Sequence, residues 1–226
     1  MNKGQTSNPS FSVISTRSTG PLHQLAIVMI TEFHEAKERR DQTRLAELQR
    51  SIPETISQCL AQEAHNHVFP LWFHKALPAG WLVAQGKYDE ALLMEKEGWL
   101  VLRTPRAESQ IVLTCMAISA SNIAEVLIHL HRGEEAIPWA ELSQSLQPER
   151  TDRQVTTGLA YHSAGHVDIG DTILLPLVER ADFKDRFDKV ALNLKYERRV
   201  QTLPNSKAAA LLRTKLTDHS TSQGEF

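Results

Sequence analysis

His162 and His166 stand four residues apart with Asp168 just beyond, a spacing that on an unbroken helix offers two imidazoles and a carboxylate to one metal ion. Gly165 interrupts the helix between them, and no second group of Cys or His completes a coordination set, so the sequence assigns no metal. His65 with His67, and His129 with His131, are two apart, and such pairs point to different sides of a helix. "GWLVAQGK", residues 80–87, has the glycines and lysine of a phosphate-binding loop. Five residues instead of four separate those glycines, however, and Tyr88 stands where a magnesium-binding hydroxyl is needed. "HEAKE" from His34 lacks the second histidine of a zinc-protease helix, and no Gly-x-Ser-x-Gly elbow is present. Glu134 and Glu135 lie at a helix start, where they complement the macrodipole. The chain reads as non-enzymatic, without a cofactor.

Whatever these residues do, helices must position them. Beyond residue 21 apolar residues return every three or four positions. Leu22, Leu25, Ala26, Met29, Phe33 and Ala36 form one stripe, and Leu45, Leu48 and Ile52 continue or restart it. In "SIPET", Ser51 and Glu54 make a capping box with Pro53 in the first turn, which predicts a new helix carrying Ile56, Cys59 and Leu60. Pro70 opens the next segment and Gly86 closes it before "KYDEALLMEKEGWLVL". Thr104 and Pro105 cap a stretch that runs through Ile111, Met116, Ile123, Leu127 and Leu130 to Gly133. Short helices over 134–146, 152–164, 168–181 and 182–200 follow, the third kinked by Pro176.

Composition sets limits on partners. Twenty-five Lys and Arg nearly balance 27 Asp and Glu, so no global field steers the molecule toward nucleic acid or an anionic membrane. The segment Lys184–Lys215 is an exception, with nine basic residues against three acidic. It reads as a solvated helix face, with a docking arm for an acidic partner as the alternative. Cys59 and Cys115, 56 residues apart, read as small buried hydrophobes in a reducing compartment, and a cytoplasmic protein is expected. The longest apolar run, Leu25 to Ile30, falls well short of the roughly 18 to 20 residues that cross a bilayer, so no membrane is expected. Trp72, Trp81, Trp99 and Trp139 lie in or near apolar stripes and are expected in the core, an exposed one marking a partner site. Residues 1–20, rich in Ser, Thr and Asn and without an acid, are expected as a disordered tail, with a targeting presequence as the alternative.

Regular punctuation invites a repeat test. Ala124, Leu127, Ala136, Ala140 and Pro148 align, 34 residues on, with Gly158, Tyr161, Gly170, Leu174 and Asp182. Small residues meet small ones, as needed where two helices cross closely. "TGLAYHSAGHVDIG" and "NIAEVLIHLHRGEEAIPWAELSQSLQP" resemble tetratricopeptide repeats. Gly158 and Tyr161 match that family's small-then-aromatic pair in the first helix, Gly165 its turn, and Ala136 and Pro148 its second-helix alanine and closing proline. "GKYDEA" resembles the inter-helix turn of a third copy, displaced by 11 extra residues that are close to three helical turns. Gly133 stands two positions later than Gly165 in its copy, the second-helix aromatic is absent, and Gly170 replaces the usual alanine.

The expected fold is all-α. The resemblance implies antiparallel helix hairpins stacked as a short right-handed solenoid. Its core covers residues 70–182 of a single helical domain, 21–201, with capping helices at 21–66 and 182–201 and a polar tail at 202–226. It also implies an adaptor or scaffold that holds a partner peptide or helix on a concave face lined by first helices. The groove-facing positions would be Asn122, Glu125 and His129 in one copy and Thr156 and His162 in the next. The basic ladder by which some relatives grip a terminal carboxylate is missing. Two alternatives stay open: a self-associating structural protein, and a regulatory or sensor module with a basic C-terminal arm. Nucleic acid is disfavoured, since no helix-turn-helix reader is visible.

Overall fold

The computed structural model describes residues 21–62, 68–103, 110–180, 183 and 206–217. Among them lie nine α-helices packed in adjacent pairs, and no strand. The chain divides into two compact units, Met1–Glu63 and Ala64–Phe226, where the sequence suggested one helical domain over 21–201. Residues 1–20 and nearly all of the expected capping helix 182–201 lie outside the described residues.

The first unit is a hairpin of α1 (Pro21–Arg39) and α2 (Gln42–Gln62). It buries Ala26, Phe33 and Ala36 on α1 and Leu48, Ile52, Ile56 and Cys59 on α2, the stripes read from the sequence, although Leu25 is exposed. The capping box at Ser51 does not form. Helix α2 runs through Pro53, and the Ser51 hydroxyl donates back to the carbonyl of Glu47 at 2.9 Å. The break comes earlier, at Arg40, and Asp41 supplies the cap by accepting the Arg44 amide at 3.0 Å.

The second unit holds α3 (Val68–Gln85), α4 (Tyr88–Leu102), α5 (Gln110–His129), α6 (Gly133–Leu146), α7 (Thr151–Ser163), α8 (Val167–Val178) and α9 (Lys207–Thr217). Each helix packs on its successor, and the first helices of successive hairpins, α3, α5 and α7, also touch in order. Among the described residues the backbones of the second helices, α4, α6 and α8, approach one another less closely, and α4 and α6 meet through the side chains of Trp99 and Trp139. One apolar core runs from Ala91 and Trp99 through Ile123, Leu127, Ala136 and Leu159 to Leu174, Val178 and Leu212. Trp72, Trp81 and Trp99 are buried, and half-buried Trp139 meets Trp99 edge to face, ring centres 5.2 Å apart.

The three hairpins of this unit turn in the same way. Gly86, His131 and Gly165 each end a first helix in the left-handed conformation, with φ of +80°, +58° and +85°. In each, the next residue's amide (Lys87, Arg132, His166) donates 2.9 Å to a carbonyl five residues back (Leu82, Leu127, Tyr161), the geometry that satisfies a helix's last carbonyls. His131 and Gly165 are 34 residues apart and Gly86 and His131 are 45, so the period read from side chains recurs in the backbone. Gly133 is therefore not the turn residue of its hairpin. It opens α6 where the backbone of the next hairpin passes closest: a Cβ there would lie 2.3 Å from the Ala164 nitrogen.

The polar tail expected at 202–226 contains α9. Eleven residues make a marginal helix in water, and this one is sustained by burying Ala208, Ala209 and Leu212. The helix start expected at Thr104 and Pro105 lies outside the described residues.

Candidate functional site

Along α5, Asn122, Glu125 and His129 follow one another at helical spacing, and each is engaged. The Asn122 amide donates to Glu95 Oε1 of α4 at 3.0 Å, and Ser121 Oγ donates to Glu125 Oε1 at 3.3 Å. The His129 ring stacks on Tyr88 with centres 4.5 Å apart and planes 8° from parallel. Asn122 and His129 are half-buried, whereas Glu125 is 5% exposed and Glu95 2%. Two carboxylates this deep are costly unless polar groups compensate them. Glu95 is met across the α4–α5 contact by Asn122, and Glu125 by Ser121 within α5.

On α7 the polar groups are engaged locally. Arg150 Nε meets Asp152 Oδ1 at 3.0 Å, and Arg153, nearly fully buried, approaches the other Asp152 oxygen at 3.6 Å. The Thr156 hydroxyl donates to its own helix at the Asp152 carbonyl, 3.0 Å away, and the residue is buried. His162 does not face outward with these residues. Its ring, 1% exposed, lies against α8, Nε2 2.9 Å from Asp171 Oδ1. The Gly170 backbone passes so close that a Cβ there would lie 2.3 Å from His162 Cδ2. Of the five residues expected to face a groove, Asn122, Glu125 and His129 share one row. Thr156 and His162 are sealed inside, because the α7 positions assigned to the groove are taken up by packing.

Ser206 Oγ donates to the same Asp171 oxygen at 2.7 Å and accepts the Ala209 amide at 3.1 Å, so it caps α9 while tying it to α8. Sequence reasoning passed over Glu95, Arg153, Asp171 and Ser206. Glu95 had a signal, since it sits in phase with buried Leu92, Trp99 and Leu102, where a charge is out of place. The other groups considered for chemistry disperse. His166 turns from His162 to Glu134, 3.0 Å away. Among the described residues no three His, Cys, Asp or Glu side chains gather as for a metal ion. Cys59 and Cys115 are buried and not joined in a disulfide, and burial pushes the Cys115 thiol up to about 12, far from a reactive thiolate. Helix α5 has the length and hydropathy of a membrane span by composition alone, yet 72% of that stretch is buried inside the fold.

No protein-family model, curated protein or solved structure matches the chain.

Proposed function

We propose that the chain is a non-enzymatic adaptor whose hairpins stack as a short right-handed solenoid of tetratricopeptide type and hold a partner peptide or helix along the first helices. The observation that carries this reading is the recurrence of one left-handed turn at Gly86, His131 and Gly165, joined to the contact of α3, α5 and α7 in a single layer. A layer built from first helices alone is the surface that such repeats leave for a ligand. On it, half-buried Asn122 and His129 are the accessible ends of the α5 row; Glu125 between them, like Thr156 and His162, is buried. Buried cysteines without a disulfide suit a reducing compartment, so the proposed place of action is the cytoplasm.

Selection of a displayed peptide library on the intact chain tests the reading. Enriched peptides should bind the wild type and lose at least about tenfold in affinity, about 1.4 kcal/mol, for a chain with Asn122→Ala and His129→Ala. Thermal melting checks that the variant folds. Undiminished binding by a folded variant would remove the site. A second reading, self-association, draws on Leu93 and Leu100, each 62% exposed and seven residues apart on one face of α4. Sedimentation over a range of concentrations separates the two, since a monomer at all concentrations is incompatible with the second.

A further inference from the structure

The equivalent positions of the three hairpins differ in one telling place. Three residues before the left-handed turn residue stand Val83, Ile128 and His162; six after it stand Leu92, Ile137 and Asp171. Two hairpins are apolar at both positions. The last has a histidine and an aspartate, and there alone a further helix is fastened by a serine to the aspartate.

We propose that His162, Asp171 and Ser206 form an acid-released clasp that holds α9 on the last hairpin at neutral pH and lets it go as pH falls. Asp171 Oδ1 accepts from Ser206 Oγ and from His162 Nε2, so the neutral ring carries its proton on Nε2 and a bare lone pair on Nδ1. Nδ1 is buried with no hydrogen-bond partner. A second proton would arrive there, creating a donor with nothing to donate to and a cation out of water. Gly170 holds the ring so tightly that relief requires it to leave the α7–α8 contact. Asp171 is then drawn from Ser206, and α9 loses both its anchor and the side chain that holds its cap.

Among the described residues the other charged groups on the neighbouring helices have partners of their own. On α8, Asp171 is the charge that touches the ring. On α6, Glu134 and Glu141 are engaged by His166 and Tyr161. On α5, Glu125 binds Ser121 and His129 stacks on Tyr88. On α9, Lys207 pairs with Glu179. On α7 itself, Asp152 and Arg153 engage each other. Burial outweighs the Asp171 carboxylate and holds the imidazole below its ordinary value of 6.5. A group so shifted stabilises the fold while neutral: the contribution is whole above 6.5 and is lost as pH falls from there toward the folded value.

Release uncovers an apolar face. Leu174 and Val178 of α8 and Phe183 are fully buried in one core with Ala208, Ala209 and Leu212 of α9. Among the described residues α9 is the element packed on α8 beyond the three hairpins, and its departure opens the face it covers there.

Amide hydrogen exchange, corrected for intrinsic rates and read at pH 7.5 and 5.5, tests the clasp on the full chain. In the wild type, protection of residues 208–217 should fall several-fold at the lower pH. In His162→Gln, whose amide can still donate to Asp171 but does not titrate, it should be the same at both. Equal loss in the two proteins, or no loss in the wild type, overturns the proposal. Ser206→Ala leaves the His162–Asp171 contact in place and should lower α9 protection several-fold already at pH 7.5 while α7 and α8 keep theirs; unchanged α9 protection in that variant also overturns it.

Discussion

The α5–α6 and α7–α8 hairpins solve one packing problem with different residues. Ala124 and Ala136 in the former correspond to Gly158 and Gly170 in the latter, and Ala140 corresponds to Leu174. A Cβ on Gly158 would lie 2.5 Å from Leu174 Cγ, and one on Gly170 2.3 Å from the His162 ring. Where the neighbour is larger, the partner shrinks to glycine. The composition of the crossing changes at matched positions, as expected if close packing sets the permitted residues. The difference also shows what the volume gained at Gly170 is used for: it admits a buried polar ring where the other hairpins carry Val83 and Ile128.

The comparison can be broken by substitution. The largest effect is expected from Gly133→Ala, whose new methyl would meet the backbone of Ser163 and Ala164, which cannot swing aside. A loss of about 3 kcal/mol, read by denaturant unfolding, is expected. A loss below roughly 0.5 kcal/mol, the scale of a neutral surface change, would mean that the hairpins do not approach this closely. Gly170→Ala gives the last hairpin the alanine of its neighbour and should cost about 2 kcal/mol, since the obstruction is chiefly a side chain. Most of that cost should vanish when His162 is also alanine; full additivity of the two changes would deny that they touch. The smallest effect concerns the turn. His131 adopts a backbone conformation taken by glycine in both other hairpins, so His131→Gly should raise stability by about 0.5 kcal/mol, and a loss would show that the imidazole contributes more than its strain costs.

The helices were legible in the sequence because apolar residues recur at helical spacing and glycines mark two of the three turns. The third turn was hidden by His131, whose side chain gives no hint of a left-handed backbone, and Gly133 drew attention away from it for a packing reason. Ser51 and Pro53 resembled a helix start, but the serine can satisfy itself within α2, and Arg40 and Asp41 had already made the break. Helix α9 was concealed by its shortness: Ser206 and the alanines after it form a helix through what they bury, which local sequence does not state. At the site, the α5 row was visible as a spacing. Its link to Glu95, and the turn of His162 toward α8, depend on neighbours 27 and 9 residues away, and a single chain read in order cannot place those.

The most direct measurement is amide exchange on the intact chain with and without a library-selected peptide. Protection is expected along α3, α5 and α7, strongest on α5 around Asn122 and His129, and absent from the Asn122→Ala, His129→Ala chain. Protection confined to α4, α6 and α8, or a peptide that binds while leaving the first helices unchanged, would contradict a ligand-holding layer of first helices.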